Sequence, residues 1–373
     1  MYDVVIVGGG LAGLISALEL ARAGHAVALV ERKTYPFHKV CGEYVSNEVR
    51  PYIESLGVDL RQLGAAHIDY LEVTSPTGRQ LTTKLDLGGF GISRYNFDLA
   101  LYQLGLDEGV NFLLGKSVEE VQFTHDQFSV TLNDGQVLAA RLVIGAFGKR
   151  SKLDKSMNRP FMQKPSPYIG VKYHIRIDFP TDTIALHNFQ AGYCGLSAIE
   201  EGKYCLCYLT TRQNLKQFGN IPAMEQAVLW QNPHLKAVFE RAEFLYEKPE
   251  VINEISFAAK KAVENHILMA GDSAGLITPL CGNGMAMAIH GAKQASDLAT
   301  NYLRGTLTRA ELEEKYQQAW SKLFARRLWI GRTVQQLFGS RWLTEIAVTT
   351  LGAAKPLLRE VIRQTHGKII SVT

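Results

Sequence analysis

The 373-residue sequence has few cysteines, little net charge and no long hydrophobic run. Its five cysteines show neither a metal-ligand spacing nor a C-x-x-C pair, so we expect reduced thiols, no metal site and a cytoplasmic protein. The net charge of +4 is too small to indicate a nucleic-acid partner. No uncharged apolar run reaches the roughly 18 residues of a membrane span, and an apolar segment from residue 2 leaves no space for a signal peptide. We therefore expect neither kind of segment.

The positive charge that is present is concentrated near the end of the chain. From residue 323 onward, eight lysines and arginines stand against Glu345 and Glu360, with Trp329, Trp342 and Leu343 between them. A basic amphipathic region of this kind would rest on an anionic membrane surface as a peripheral contact. A pair of helices that packs on the core and turns a basic face to solvent gives the same pattern.

A glycine-rich motif opens the chain. The apolar run at residues 2–7 predicts a strand, and three glycines follow it in the G-x-G-x-x-G spacing: Gly8, Gly10 and Gly13. A helix predicted over residues 11–23 begins with Leu11 and Ala12, whose amides would face a pyrophosphate. Glu31 ends the next predicted strand, where an acid holds a ribose hydroxyl, and it disfavours a 2′-phosphate. The motif predicts that FAD or NAD binds here.

A second glycine motif lies about 260 residues further on. The apolar run at residues 267–270 leads into Gly271-Asp272-Ser273-Ala274-Gly275, and a helix is predicted from Asn283. An acid and a helix start at this place could reach the far end of the same dinucleotide, where the amides would stabilise negative charge on a reduced flavin. Together, the two motifs indicate FAD.

The order of the predicted elements indicates an α/β fold. We predict a Rossmann-like FAD-binding domain with an inserted antiparallel β-sheet substrate domain and C-terminal helices. The FAD-binding domain would comprise residues 1–66, 95–160 and 265–305, and the substrate domain residues 67–94 and 161–264. Residues 306–373 would form the C-terminal helical region.

Two details of the prediction concern single elements. The turn Asn133-Asp134-Gly135 predicts a hairpin of strands 128–132 and 137–140, and residues 142–144 read as a separate buried strand. The capping-box pattern from Thr308 to Glu311 predicts a helix with four large apolar side chains on one face: Leu312, Tyr316, Trp320 and Leu323.

These motifs give the chain a family resemblance. It resembles the FAD-dependent oxidoreductases of the p-hydroxybenzoate hydroxylase fold, and within them the geranylgeranyl-reductase-like branch. Beyond the fingerprint with Glu31 and Arg32, the segment Lys39-Val40-Cys41-Gly42-Glu43 is similar to the K-x-C-G of geranylgeranyl reductases. Arg94-x-x-Phe97-Asp98 is similar to the R-x-x-F-D that opens a helix beside FAD. The run from Gly271 through Pro279 to Gly282-Asn283-Gly284 is similar to the family's last motif.

The resemblance implies roles for particular residues. Arg94 would lie beside FAD, and Asp272 would hydrogen-bond the ribityl chain. The adenine would lie beside a strand near Val118. Four consecutive residues would pass the flavin ring: Gly282, Asn283, Gly284 and Met285.

The chain also departs from related families. Hydroxylases of this fold carry an Asp-Gly pair after the hairpin, and here Phe147 stands in place of the Asp. The W-x-W-x-I-P motif of flavin halogenases and the Y-x-W-x-F-P motif of archaeal geranylgeranyl reductases are both absent. These departures leave the type of reaction open.

Cys41 is the candidate for proton transfer, because the resemblance puts it near the flavin and a thiol there could donate a proton as hydride adds to a double bond. The alternative is that Cys41 is a small buried apolar residue. His290, on a helix of small residues, is predicted to be a core histidine rather than a catalyst.

Three functions stay open at this point. The first is an FAD-dependent oxidoreductase that reduces or dehydrogenates a hydrophobic, isoprenoid or polyketide-like substrate by hydride transfer through flavin N5. The second is an aromatic monooxygenase that uses NAD(P)H and oxygen, and the third is a flavin-bound lipid cyclase or carrier without redox turnover. The chain shows no second nicotinamide fingerprint, so NAD(P)H would bind transiently as an electron donor, or electrons would come from another protein.

Overall fold

The computed structural model describes residues 1–163, 166–277, 283–338, 341–365 and 367–370. Its strands, in chain order, are β1 Tyr2–Val7, β2 Val27–Glu31, β3 Tyr44–Ser46, β4 Ala66–Thr74, β5 Gln80–Gly91, β6 Asn111–Leu114, β7 Val118–Thr124, β8 Gln127–Leu132, β9 Val137–Gly145, β10 Tyr168–Arg176, β11 Thr183–Phe189, β12 Gly192–Ala198, β13 Tyr204–Thr211, β14 Glu243–Phe244, β15 Glu250–Ile255, β16 Val263–Glu264 and β17 Ile267–Met269.

The α-helices are α1 Leu11–Arg22, α2 Arg50–Ser55, α3 Arg94–Asp107, α4 Lys152–Ser156, α5 Arg212–Phe218, α6 Ile221–Val228, α7 Pro233–Arg241, α8 Gly284–Leu303, α9 Arg309–Phe338, α10 Arg341–Ala353 and α11 Lys355–Thr365. Short 3-10 turns lie at Asn47–Val49, Pro160–Gln163, Glu200–Gly202, Leu229–Gln231 and Gly271–Ser273. None of the described helices is long and apolar enough to cross a membrane.

The first sheet is built around β1, whose residues Val4 to Ile6 are fully buried. Its strands follow the order β16-β17-β9-β1-β2-β6, and the pairs from β17 to β6 are parallel. Parallel strands buried on both faces read as continuous apolar runs, which is why β1 and β2 were recognisable in the sequence. The carboxyl ends of β1, β2, β9 and β17 therefore meet at one edge of the sheet.

The second sheet follows the order β14-β10-β13-β12-β11-β4-β5-β3, with β15 also paired to β10. Its pairs are antiparallel except β11 with β4, which run parallel. This sheet is formed mainly from the long insertion between β9 and β17, so the predicted fold class is confirmed. The strand β3 joins this sheet although it falls in the predicted segment 1–66, and the domain boundaries themselves stay a prediction.

Two details of the prediction were wrong. Residues 137–145 form one strand, β9, which pairs antiparallel with β8 at its start and parallel with β1 at its end. The apolar face of α9 contains Phe324, which is fully buried, in place of Leu323, which is 37% exposed. The spacing 312, 316, 320 and 324 keeps one residue in each helical turn on the same side, and Leu323 falls outside that row.

Candidate active site

The three predicted glycines differ in what surrounds them. Gly8 has φ +103°, and a Cβ at that position would lie 2.5 Å from the carbonyl oxygen of Ala146. A Cβ at Gly13 would lie 1.9 Å from the carbonyl oxygen of Gly8, so the helix packs too closely on the strand for any side chain. A Cβ at Gly10 would lie no closer than 3.8 Å from Lys39 Nζ and 3.9 Å from Arg94 Nη2. Gly10 thus faces two cations.

The start of α1 is an anion site in its geometry and its charge. Gly10 is the N-cap and supplies no side-chain cap, so the first amides of α1 have no partner within the helix. The side chains of Leu11 and Ala12 are buried, which directs the helix into the core and leaves its N-terminal amides facing the glycine loop. Together with Lys39 and Arg94, these amides provide positive charge where the fingerprint places a pyrophosphate.

One buried carboxylate orients both of those cations. Asp98 accepts from Arg94 through Nε at 2.7 Å and Nη2 at 2.8 Å, and from Lys39 Nζ at 3.1 Å. Burial raises the pKa of Asp98, but the two cations outweigh it and hold the pKa below its usual range. The R-x-x-F-D motif therefore does more than supply an arginine, because its last residue also fixes the lysine of the Lys39–Glu43 loop.

Glu31 contacts the glycine loop from the end of β2. Its carboxylate accepts from the amide of Gly9 at 2.8 Å and from the amide of Lys33 at 3.0 Å. Tyr35 Oη and Lys39 Nζ donate to the carbonyl of Gly9 at 2.6 and 3.1 Å. The peptide of Gly9 is thus held on both sides, and the remaining lone pairs of Glu31 are available to ribose hydroxyls.

Two predicted residues lie further from this point. The side chain of Arg32 is exposed to solvent. Val118 is buried at the start of β7, two residues beyond Lys116, whose amide donates to the Glu31 carbonyl at 3.2 Å. Val118 therefore lies close to the carboxyl end of β2, where Glu31 stands, and its role beside the adenine stays a prediction.

The second glycine motif meets the first at the start of α1. A Cβ at Gly271 would lie 3.1 Å from Ala12 Cβ and 3.6 Å from Ala288 Cβ, so the turn lies between α1 and α8. Asp272 follows Gly271 in this turn. Burial raises the pKa of the Asp272 carboxyl, and the charges of Lys260 and Arg94 oppose that rise. Two motifs about 260 residues apart in sequence form one site.

Sequence reasoning missed the residue that holds this turn in place. Arg159 is 1% exposed; it donates to Asp154 Oδ1 at 2.8 Å and to the carbonyl of Ser273 at 2.9 Å. Ser273 in turn donates through its hydroxyl to the Ala270 carbonyl at 2.6 Å and to the Gly145 carbonyl. A single arginine within a loop carries no sequence signal for such a role.

The predicted flavin-side segment is described in part. Asn283 is buried and precedes Gly284, the first residue of α8, and Met285 is buried in its first turn. Gly282 and the four residues before it lie outside the described residues. His290, on the same helix, lies 3.3 Å from the buried carboxylate of Glu48, which also binds Arg327 at 2.7 Å. His290 therefore lies beside the buried Glu48–Arg327 ion pair.

Cys41 lies in the loop that joins the cation site to the second sheet. The thiol is half-buried, and its Sγ lies 3.5 Å from the amide of Glu43, while the thiol of Cys205 donates to the Cys41 carbonyl at 3.2 Å. Burial raises the pKa of the Cys41 thiol, so it stays protonated at neutral pH. The neighbouring Gly42 is exposed, and a Cβ there would meet nothing within 4 Å.

A buried ionic cluster, also missed from the sequence, anchors the other end of this loop. Glu43 has φ +55° and is fully buried. Its carboxylate contacts Lys172 Nζ, accepts from the amide of Arg94 at 2.9 Å and lies 2.6 Å from His174 Nε2. A signal was present in the sequence, since Lys172 and His174 stand two apart in β10, among residues that are uncharged up to the terminal Arg176, and therefore share one face.

Known proteins resemble the chain in sequence and in fold. The FAD binding domain family matches residues 1–326. Conditioned medium factor receptor 1 of Dictyostelium discoideum is 24% identical over 372 residues, which cover 90% of this chain and 70% of the receptor. Digeranylgeranylglycerophospholipid reductase 1 of Methanococcoides burtonii is 24% identical over 363 residues, which cover 91% of this chain and 84% of the reductase.

Among solved structures, PqsL of Pseudomonas aeruginosa, a probable FAD-dependent monooxygenase, superposes with a TM-score of 0.72 at 20% identity. The match covers 94% of this chain and 99% of PqsL. Similarity at this level of identity establishes a shared fold and leaves the reaction undetermined.

Proposed function

Because the chain belongs to the FAD binding domain family, we propose that it is an FAD-dependent enzyme that reduces carbon–carbon double bonds of a hydrophobic, isoprenoid-like substrate. Family membership confirms the predicted resemblance and the FAD cofactor, and it makes the protein a member of an oxidoreductase family. What we propose beyond this is that the enzyme reduces its substrate and that the substrate is hydrophobic. The observation that carries it is the half-buried Cys41 thiol beside Gly42, in the loop whose Lys39 end contacts the glycine loop.

The residues present fit FAD. Lys39, Arg94 and the start of α1 would hold the diphosphate, Glu31 the adenosine ribose, and Asp272 the ribityl chain. Bound FAD supplies hydride transfer at N5. The buried amides at the start of α8 would stabilise negative charge at the far end of the cofactor.

The proton comes from the protein. Reduction of a double bond adds a hydride to one carbon and a proton to the other, so two electrons and two hydrogens enter the substrate. Cys41 would give the proton from its Sγ, and its thiolate would then be protonated again from solvent. Its raised pKa favours the thiol form that such a donor needs.

A hydrophobic substrate is supported by the relatives and by one surface of the protein. The relative from Methanococcoides burtonii is named as a reductase of a geranylgeranylated phospholipid. On α9, the exposed side chains of Lys322, Arg326 and Trp329 recur on one face, and on α10 Trp342 and Ile346 are 78% and 51% exposed. We call these five residues the basic apolar face. It is suited to a peripheral contact with an anionic lipid surface, from which a lipid substrate would enter.

The monooxygenase is the second candidate, because PqsL has the same fold. The side chain at position 147 argues against a monooxygenase. Phe147 replaces the Asp of the hydroxylase pattern, and its ring packs on Gly145, where a Cβ would lie 2.8 Å from Phe147 Cε1. A lipid cyclase or carrier is a third possibility, which requires no electron donor.

The test is anaerobic stopped-flow absorbance with FAD-loaded protein. NADH or NADPH is expected to bleach the flavin, and a polyunsaturated isoprenoid lipid under nitrogen is expected to restore its colour faster than oxygen does. Oxygen uptake that depends on an aromatic substrate and yields a hydroxylated product would instead support the monooxygenase. If neither NAD(P)H nor another electron donor bleaches the flavin and the protein still rearranges the lipid, the third function would be supported.

Cys41→Ala tests the proposed proton donor. Reoxidation by lipid is expected to slow roughly 100-fold, the usual contribution of a general acid, while bleaching by NAD(P)H keeps its rate. Cys194→Ala is the matched control, because Cys194 is fully buried in the second sheet. Equal rates for Cys41→Ala and Cys194→Ala would remove Cys41 from the mechanism.

A further inference from the structure

One half-buried lysine joins the two segments that follow strands β9 and β17. Lys260 lies in the loop between β15 and β16, and its Nζ donates to the carbonyls of Lys149 and Asp272, both at 2.7 Å. Its Nζ also lies 4.3 Å from the centre of the Phe161 ring. An ammonium has three protons, so two carbonyls and one aromatic face give each of them a partner. Lys260 therefore fixes the segment after β9 against the second glycine motif.

The nearby Arg159 holds the same turn in a different way. Its guanidinium is paired with Asp154 at 2.8 Å and lies 3.7 Å from Glu264, so two carboxylates balance its charge. The hydrogen bonds of Lys260, in contrast, go to uncharged carbonyls. The positive charge of Lys260 therefore acts on the ionisable groups around the turn.

Charged groups from three segments of the chain surround the Lys260 ammonium. Burial lowers the pKa of Lys260 to about 8, whereas the charges of Asp272 and Asp154 raise it. The charges of Arg159 and Lys149 act in the same direction as burial. Lys260 is thus mostly an ammonium at neutral pH, and it loses its charge as the pH rises through about 8.

The charge of Lys260 acts on the Asp272 carboxyl. Burial raises the pKa of Asp272, and among the charges that oppose this rise Lys260 acts most strongly, followed by Arg94 and Lys149. An ionised carboxylate accepts stronger hydrogen bonds than a protonated one. Lys260 therefore favours the form of Asp272 that accepts from a ligand hydroxyl.

We propose that Lys260 is a positioning residue for FAD, which holds the two segments together and keeps Asp272 ionised so that its carboxylate accepts from the ribityl chain. Lys260 acts through Asp272 and needs no contact with the cofactor. This inference rests on the proposed function only for the placement of FAD. A protein that binds FAD through Lys260 and Asp272 but reduces no lipid would overturn the proposed reaction and leave this role intact.

The affinity for FAD is expected to depend on pH at two places. As the pH falls, Asp272 gains a proton and binding weakens; without Lys260 the pKa of Asp272 is higher, so this weakening begins at a higher pH. As the pH rises through about 8, Lys260 loses its proton, and binding weakens again because the turn loses a positive charge beside an anionic cofactor. The unaltered protein should therefore bind FAD most tightly between these two pH ranges.

Fluorescence titration of FAD into the FAD-free, full-length protein measures this dependence. Lys260→Met keeps the length of the side chain and removes the charge. At neutral pH it is expected to raise the FAD dissociation constant roughly tenfold, to move the acid limb of the pH profile to higher pH and to abolish the alkaline limb. Lys261→Met is the matched control, because the side chain of this adjacent lysine is 69% exposed and lies 3.7 Å from Glu264. Its pH profile should match that of the unaltered protein.

Urea unfolding of the FAD-free variants shows whether each is folded before FAD is added. A loss of FAD affinity in Lys260→Met with both limbs of the pH profile unchanged would overturn the proposal, as would the same shift in Lys261→Met. A shift of the acid limb by Lys260→Met that persists in the Asp272→Asn background would also overturn it. Should Lys260→Met fail to fold, the unaltered protein still decides: an FAD affinity that does not weaken as the pH rises through about 8 would contradict the role of Lys260.

Discussion

The glycines of the first motif are needed for different physical reasons. Gly13 is required by packing, since a Cβ there would lie 1.9 Å from a carbonyl oxygen. Gly10 has φ −83°, and a Cβ there would meet only Lys39 Nζ and Arg94 Nη2, at 3.8 and 3.9 Å, so we infer that its lack of a side chain serves the proposed cofactor rather than the fold. We therefore infer that glycine is needed for stability at position 13 and for access of the cofactor at position 10.

Substitution by alanine should separate these two duties. Gly13→Ala is expected to lower the free energy of unfolding of the FAD-free protein by about 1–3 kcal/mol or more. Gly10→Ala is expected to leave that free energy nearly unchanged and to raise the FAD dissociation constant roughly tenfold or more, because the methyl group stands where the phosphates approach the backbone. Urea unfolding and FAD fluorescence titration measure the two quantities.

Gly42→Ala is the control for unfolding, because a Cβ there meets nothing within 4 Å. Comparable destabilisation by Gly10→Ala and Gly13→Ala would contradict this assignment, and so would unchanged FAD affinity in Gly10→Ala.

At the scale of elements, the loop from Lys39 to Glu43 joins the two sheets. Its Lys39 end binds the glycine loop of the first sheet, and its Glu43 end binds Lys172 and His174 on β10 of the second. A buried pair of this kind is costly to form and more costly to break by removing one partner. The ionisation of Glu43 therefore links the two layers.

Acid should weaken this link. Lys172 and His174 lower the folded-state pKa of Glu43 from 4.5 to about 2 against the effect of burial. A lowered folded-state pKa stabilises the fold above pH 4.5, and that contribution, roughly 3 kcal/mol, is lost as the pH falls from about 4.5 toward 2. Urea unfolding between pH 7 and pH 3 should show a shallower pH dependence for Glu43→Gln combined with Lys172→Met than for the unaltered protein.

Asp98 and Glu48 also have lowered pKa values, and their effect is the same in both proteins, so it cancels in the comparison. Parallel curves for the two proteins over this range would show that Glu43 is not ionised in the fold.

Elements that depend on local sequence were predicted correctly, and elements that depend on partners far away in the sequence were not. Strands β1 and β2 and helix α1 were predictable because local apolar runs, glycines and Glu31 all agree. Strand β12 was missed, since Gly192, Gly195 and Ser197 dilute its apolar character, and β9 was divided in two because its partner changes midway from β8 to β1.

Within the candidate site, the sequence pointed to residues that stand in motifs and missed residues that are defined only by distant contacts. Arg94 and Asp272 stand in recognisable patterns, whereas Arg159 and His174 acquire their roles only from groups more than 100 residues away in sequence. Contacts of that range leave no motif in a single sequence, and the two polar residues Lys172 and His174 in β10 were their only sign.

At the scale of the whole molecule, the basic apolar face is the surface that we propose to contact a membrane. Its tryptophans and isoleucine are exposed although neighbouring residues of α10, Thr344 and Val348, are buried. An amphipathic helix normally buries its large apolar residues, so exposed ones beside arginine and lysine favour a contact with anionic lipid.

Vesicle flotation tests that contact. The protein is expected to float with vesicles that contain about one third phosphatidylserine and not with phosphatidylcholine alone, and added salt should weaken binding because the attraction is partly electrostatic. Trp342→Ser combined with Ile346→Ser should abolish flotation. Val137→Ser is the matched control, because Val137 is 59% exposed in the distant hairpin of β8 and β9. Flotation that is independent of lipid charge, or equal in both variants, would count against the face.

The contact of Gly271 with Ala12 also determines when the site can exist. Strand β17 pairs with β9, and the turn after it packs on the first helix of the chain, so a ribosome must release residue 271 before the cofactor pocket closes. Until then, β9 presents an open hydrogen-bonding edge and α1 an uncovered apolar flank. Synthesis of this protein thus passes through an interval in which the first glycine motif is present while the turn that packs on it has not yet been made.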